Sequence, residues 1–344
     1  MGFLLHHEVD EFAQRQADAD AVRYSGSSLS YGELSARSNQ LANLLLESGT
    51  RPAERVGIYM AKSLELPIAL YGILKAGAAF VPIDPAAPPR RVEFILKDCG
   101  IRFLVTDSFR VGRVAKMQSR GDLSTLVGCA SDKAPEGLKA WTWEELEGID
   151  PAAPGVKRTE QDLAYIMYTS GSTGAPKGLM HTHHSGLSYA RLSGAVYEVG
   201  PGQRLGNHSP LHFDMSTFEY LTGPNFGATT VIIPEETTMF PASLGEMIER
   251  ERLTHWYSVP LALTQLLTGG GLEERDCSAL RWVLFGGEPF PPKQLEELMK
   301  LWPNARFSNS YGPAEVNQCT FYHVPRHRKN PEDATPITSP CSPP

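Results

Sequence analysis

The chain has 344 residues, room for about two domains of ordinary size, and 41% hydrophobic with 21% charged residues suits a soluble globular protein. A net charge of −7 with no basic block argues against a nucleic-acid partner. Cysteines at 99, 129, 277, 319 and 341 never reach Cys-x-x-Cys spacing, which argues against a zinc or disulfide framework and fits the cytoplasm; the longest apolar run, 66–74, is too short to span a membrane.

Ser30-Tyr-Gly-Glu33 reads as a capping box opening a helix with Leu34, Leu41, Leu44 and Leu45 on one face, ended by Gly49. A strand follows over 55–60, a helix over 64–76, a strand over 78–83, a helix over 90–98 and a strand over 102–106. Residues 107–159 show poor periodicity and read as a variable connection. Alternation resumes with a strand over 163–168, a helix after His183, a strand over 204–208, a helix over 216–226 and a strand over 229–233. Helix 243–251, strand 255–258, helix 261–267, strand 281–285, helix 292–302 and strand 305–308 complete the series. Strands and helices in this alternation predict an α/β fold with parallel sheets. The tail over 331–344 holds five prolines and no period, and reads as disordered.

The most informative stretch is Tyr168-Thr-Ser-Gly-Ser-Thr-Gly-Ala-Pro-Lys-Gly178, which follows a buried strand. Its glycines and hydroxyls can turn successive backbone N–H groups toward one anion, with Lys177 at the rim. It is not a Walker A loop, because Pro176 precedes Lys177 and Gly178 follows it. Ligands of open parallel sheets bind at the carboxyl ends of strands, which marks Gly286-Gly287 and Tyr311-Gly312 as nucleotide positions.

Five stretches in order give the chain a clear resemblance. They are Leu29-Ser-Tyr-Gly-Glu-Leu34, Leu74-Lys-Ala-Gly-Ala-Ala-Phe-Val-Pro-Ile-Asp84, the phosphate loop, Phe213-Asp-Met-Ser216 and Asn309-Ser-Tyr-Gly-Pro-Ala-Glu315. The chain resembles the large N-terminal part of adenylate-forming enzymes, which include nonribosomal peptide synthetase adenylation domains, acyl-CoA ligases and luciferases. The resemblance implies two doubly wound α/β/α subdomains, expected here over 8–150 and 160–325, with the following barrel incomplete, the C-terminal domain absent and a truncated tail over 326–344.

The resemblance also implies ATP-dependent activation of an acid to an acyl-adenylate, followed by transfer to a thiol. Thr169, Ser170, Gly171, Ser172, Thr173, Gly174 and Lys177 would hold phosphates, with Thr169, Lys177 and Glu315 as the catalytic set. Glu315 would coordinate Mg²⁺, as suits a hard cation. Gly286, Gly287, Glu288, Asn309, Ser310, Tyr311 and Gly312 would border the adenine, with Tyr311 stacked on it. Ala314 stands where the family usually has threonine, so one hydroxyl near the α-phosphate is missing.

Asp214 separates the subclasses. In relatives that take amino acids an aspartate here binds the substrate ammonium, and Ser216-Thr-Phe-Glu219 reads as a capping box that leaves Asp214 free for that task. By resemblance, Met215, Phe218, Ser258, Leu284, Gly286, Ser310, Gln318 and Cys319 would wall a mostly apolar acid pocket with one polar end at Gln318. An amino acid substrate and a phosphopantetheinyl carrier protein are the implied partners. The alternatives are an acyl-CoA-type ligase fragment and a non-catalytic nucleotide-binding remnant. His181, His183 and His184 read as solvated or phosphate-facing rather than as a metal site.

Overall fold

The computed structural model describes residues 2–169 and 176–326. In chain order its elements begin with α1 (His7–Arg15), β1 (Asp20–Tyr24), β2 (Ser27–Ser30), α2 (Tyr31–Glu47), β3 (Arg55–Tyr59), α3 (Glu65–Lys75), β4 (Ala79–Pro82), α4 (Pro89–Asp98) and β5 (Phe103–Thr106). They continue with α5 (Ser108–Ala115), β6 (Thr125–Val127), β7 (Lys139–Trp141), α6 (Trp143–Leu146), β8 (Leu163–Thr169), β9 (Lys177–Thr182), α7 (His183–Val196) and β10 (Arg204–Asn207). The last are α8 (Gly223–Asn225), β11 (Thr229–Ile232), α9 (Glu235–Thr238), α10 (Pro241–Arg250), β12 (His255–Ser258), α11 (Pro260–Gly269), β13 (Trp282–Gly286), α12 (Pro292–Leu301), β14 (Arg306–Tyr311) and β15 (Thr320–Val324).

The chain divides into two compact units. The first holds the described residues through Ala19 together with Leu29–Leu187, and the second holds Asp20–Ser28 and the described residues from Ser188 onward. Among the described residues, the first sheet runs β7-β6-β5-β3-β4-β8-β9 and is parallel except for the β8–β9 pair. Strands β3, β4 and β5 are buried nearly throughout, as expected for parallel strands covered on both faces. Helix α3 is buried at every position from Leu66 to Lys75, so it packs as a central helix rather than an amphipathic surface one. Tyr59, Val81, Val92, Leu104, Val114 and Ile166 belong to one apolar core.

The second sheet runs β15-β14-β13-β12-β10-β11-β1-β2, parallel from β14 to β1, with β15 antiparallel to β14. One apolar cluster includes Leu244, Trp256, Val283, Leu295 and Phe307. Another gathers Tyr197, Leu205, Phe218, Tyr257, Trp282 and Leu284.

Several expectations hold and several do not. The Ser30 capping box forms, with Ser30 Oγ accepting from Glu33 N at 3.2 Å and Glu33 Oε2 accepting from Ser30 N at 2.8 Å. The expected start of a second subdomain at 160 is corrected. Strand β8 pairs with β4, where Tyr165 stands opposite Phe80 and stacks on it at 5.2 Å, so the phosphate-loop strand belongs to the first unit. Residues 107–159, read as a variable connection of poor periodicity, carry α5, β6, β7 and α6. Asp107 caps α5 by accepting from Phe109 N and Arg110 N, and Thr142 with Glu145 forms a capping box at α6. The strands between them have three residues each, too short to show a period. The 331–344 tail lies outside the described residues.

The histidine reading is also corrected for two of its three members. His181 is buried and stacks on Tyr165 at 4.5 Å, and His183 is buried with Nδ1 accepting from Leu5 N at 3.2 Å. Only His184 is exposed, 3.6 Å from Glu160. Among the described residues no group of three His, Cys, Asp or Glu could hold a metal.

Burial lowers His183 from 6.5 to about 4, and it lowers His255 in the second unit equally, to about 4. Both rings are neutral when folded, so the unfolded chain binds more protons between these values. Stability is then full above pH 6.5 and falls as pH drops toward 4, by at most about 1.4 kcal/mol per pH unit for each ring. Urea midpoints measured across this range should fall on acidification. A flat profile would refute the buried, neutral state of both rings.

Candidate nucleotide and acid site

In the first unit, β8 and β9 form an antiparallel pair with Thr169 opposite Lys177 and Tyr168 opposite Gly178. The residues expected to cradle phosphate, Ser170, Gly171, Ser172, Thr173 and Gly174, lie outside the described residues. Their flanks are described. Thr169 is half-buried at the end of β8, and Lys177 is exposed where β9 begins. Lys177 thus faces Thr169 across a ladder, a tie that the sequence reading of a strand feeding a loop did not include. The strand end is anchored below. Tyr168 donates to Asp98 Oδ2 at 2.5 Å and lies 3.1 Å from Cys99 Sγ, at the C-terminus of α4. Burial and then the Asp98 bond raise the Tyr168 phenol far above its ordinary range, which keeps it neutral.

In the second unit, the expected nucleotide positions fall at strand ends. Gly286 ends β13 in register with Ser310 of β14. A Cβ at Gly286 would stand 2.3 Å from the Ser310 carbonyl oxygen, and one at Gly312 would stand 1.9 Å from that of Asn317, so neither position admits a side chain without backbone movement. Gly287 follows Gly286. Glu288 Oε1 accepts from Leu261 N at 2.8 Å, at the start of α11. Asn309 and Ser310 are buried, whereas Tyr311 is 52% exposed, which presents an open ring rather than a core aromatic. Glu315 is an exposed carboxylate on the following loop.

Asp214 opens a short 3-10 turn, Asp214–Ser216. The capping box expected at Ser216 does not form. Its hydroxyl donates backward to Phe213 O at 2.7 Å, while Glu219 is buried and accepts from Asn207 Nδ2 at 3.2 Å. Asp214 Oδ1 instead accepts from Met215 N at 3.0 Å. Even so, the carboxyl is pushed up, chiefly by burial and further by Glu315, and no cation pairs with it among the described residues.

The other expected pocket residues divide. Phe218 and Leu284 sit in the cluster with Tyr197, Tyr257 and Trp282, and Met215 packs against it half-buried. Ser258 Oγ is occupied, accepting from Trp256 Nε1 at 2.7 Å and donating to Val259 O at 3.2 Å. Gln318 and Cys319 are half-buried just before β15. Sequence reasoning missed Tyr197, whose ring contacts Phe218 and Trp282 and whose hydroxyl meets Ser308 and Ser310. It lies outside every recognised motif, and only its contacts reveal it.

Two largely parallel sheets, one of them with Gly286, Glu288, Gly312 and Glu315 at or just beyond its strand ends, define an α/β protein of the class whose ligands bind beyond the carboxyl ends of the strands. The chain belongs to the AMP-binding enzyme family, which matches residues 9–342. It is 37% identical over 320 residues to the L-proline--[L-prolyl-carrier protein] ligase of Streptomyces coelicolor, covering 90% of this chain and 59% of that protein. It is 32% identical over 321 residues to the protein of the same name from Pseudomonas fluorescens, covering 93% and 63%. The chain therefore spans about three fifths of these relatives. A crystal structure of the nonribosomal peptide synthetase FmoA3 superposes with a TM-score of 0.84 at 30% identity, over 98% of this chain and 34% of that one. Among the described residues no helix is long and apolar enough to cross a membrane.

Proposed function

We propose that the chain activates the carboxylate of an amino acid with ATP, forming an aminoacyl-adenylate for transfer to a carrier-protein thiol. An acid oxygen bonds to the α-phosphorus as the bond to the β-phosphate oxygen breaks, and pyrophosphate leaves. A carrier thiolate then bonds to the acyl carbon as AMP leaves. Such transfers need positioning and charge neutralisation more than covalent help from the protein. Thr169, Ser170, Ser172, Thr173 and Lys177 would hold the phosphates, and Tyr311 would stack on the adenine. Glu315 fits Mg²⁺ as a single exposed carboxylate, since this ion is commonly held by one or two carboxylates plus substrate phosphates.

The observation that carries the reading is Asp214. A carboxyl that is raised by burial and has no cation partner among the described residues is suited to a cationic ligand. A fatty or aryl acid offers no such charge, which disfavours the acyl-CoA-type reading. Relatives ligate L-proline by name, and FmoA3, 30% identical, has been solved in an alpha-methyl-L-serine-AMP bound form, so amino acids are the common class. Amino-acid-dependent exchange of pyrophosphate into ATP tests the reading. Exchange supported by an amino acid but not by its des-amino analogue is expected. A folded, ATP-binding chain that exchanges with no amino acid would defeat it.

A further inference from the structure

The second unit carries a cavity of about 620 Å³ at the amino ends of β10, β12, β13 and β14, with Arg204, Arg252, Thr254, Ser278, Arg281 and Asn304 in its lining. The four strands begin level, since His255 stands opposite Leu205 and Trp282, and Trp282 opposite Arg306. Their entry backbone is fixed. Arg204 O accepts from Thr254 N at 2.9 Å, Thr254 O from Arg281 N at 2.8 Å, and Arg281 O from Arg306 N at 2.8 Å. Gly286 and Ser310, where a nucleotide is expected, lie toward the other ends of β13 and β14. Ligands of parallel sheets sit at those carboxyl ends, so the nucleotide role does not account for a cavity at the amino ends.

Three guanidiniums line this cavity, and no carboxylate and no aromatic ring does, in a chain whose net charge is −7. Like charges gathered without a counter-charge repel one another, and a bound anion removes that penalty. Arg281 is exposed and makes no ion pair or side-chain hydrogen bond among the described residues. Arg252 reaches Asp276 only at 3.9 Å, and both side chains are more than half exposed, so this pair is weak. Arg204 is half-buried and commits one N–H group to Glu251 O at 2.8 Å. Arg306, which opens β14, is already engaged. It pairs with Glu198 and lies 4.0 Å from the centre of the Trp282 ring.

A planar guanidinium matches phosphate oxygens two at a time, and phosphate groups of about −1.5 to −2 each need only be two to balance three arginines. Without an aromatic ring in the lining, nothing there would stack on a base. We propose that this cavity binds a small anion carrying two phosphate groups, held by Arg204, Arg252 and Arg281. The site is separate from the amino-acid activation reading and does not depend on it.

The probes are inorganic pyrophosphate and fructose 1,6-bisphosphate, titrated by calorimetry into the full chain in the presence of a non-hydrolysable ATP analogue, which occupies the proposed nucleotide site. Saturable binding that weakens as salt is added is expected for at least one of them. Tighter binding of the first points to an inorganic ligand and of the second to an organic bisphosphate, and either result supports the site. Arg281→Gln should weaken binding by about tenfold, the low end for hydrogen bonds between charged groups. Arg252 adds a second readout, because its φ of 50° lies in the left-handed region that favours glycine. Arg252→Gly should therefore weaken the anion while the urea midpoint stays level or rises. An arginine kept only for the fold would lower the midpoint and leave binding unchanged. No saturable binding of either probe, affinities unchanged in both variants, or citrate bound as tightly as the phosphates overturns the proposal.

Discussion

Asp214→Ala is expected to lower kcat/KM for the amino acid by roughly a hundredfold or more, and to abolish the preference for the amino acid over its des-amino analogue. Removing one member of a buried, hydrogen-bonded charge pair typically costs about 2–5 kcal/mol, because the other charge is left without its partner. Here the stranded charge would be the substrate ammonium. Asp214→Asn keeps the shape and the contact to Met215 N while removing the charge, so the two variants should behave alike toward the amino acid. The wild-type carboxyl adds a pH signature. Burial and Glu315 raise it above the ordinary aspartate range, and only the ionised form pairs with an ammonium. KM for the amino acid should therefore fall as pH rises through that raised value, and the dependence should vanish in Asp214→Asn. An amino-to-hydroxy acid ratio unchanged in Asp214→Ala would take away the main physical support for the substrate class.

The α/β architecture was legible because long helices and buried strands carry their period in the sequence, and the Ser30 box signalled α2 by itself. What escaped was information that only tertiary pairing holds. Strand β1 joins the second sheet beside β11, with Val22 opposite Thr230, although the helices on either side of the β1–β2 segment, α1 and α2, belong to the first unit. No local pattern announces such an exchange. The Ser216-Thr-Phe-Glu219 spacing met the capping-box rule, yet Glu219 is drawn inward by Asn207 and its own burial, so tertiary context outweighed a local motif. The histidines after the loop failed for a related reason. His181 and His183 look like polar flanks of a phosphate loop, but strand alternation and the first turn of α7 turn both rings inward. Motif glycines fared better, since Gly286 and Gly312 each face a backbone oxygen that excludes a side chain.

Lys75 is the case where a motif residue has a different task from the one its charge suggests. It lies in the Leu74–Asp84 stretch of the resemblance, and its side chain is only 2% exposed. Its Nζ lies 2.6 Å from Asp10 Oδ1, 2.8 Å from Asn39 Oδ1, 3.0 Å from Ser35 Oγ and 3.1 Å from Ser35 O. Four oxygens thus surround an ammonium with three hydrogens, and they tie α1 and α2 to the end of α3. Burial lowers the Lys75 pKa, and Asp10 works against that shift. The pair therefore costs desolvation and recovers it through geometry, so its net worth is small while its rupture is expensive. Lys75→Met should destabilise the first unit by about 3–5 kcal/mol, the usual cost of removing one partner from a buried pair. Asp10 is about a third exposed, so water relieves part of its loss and the lower end of that range is expected. Adding Asp10→Leu to Lys75→Met should restore a large share of the stability, because no uncompensated charge then remains. Urea unfolding of the two single variants and the double variant measures the coupling. Strictly additive losses would show that the two charges do not act as a pair, and that the ammonium is held by Ser35 and Asn39 alone.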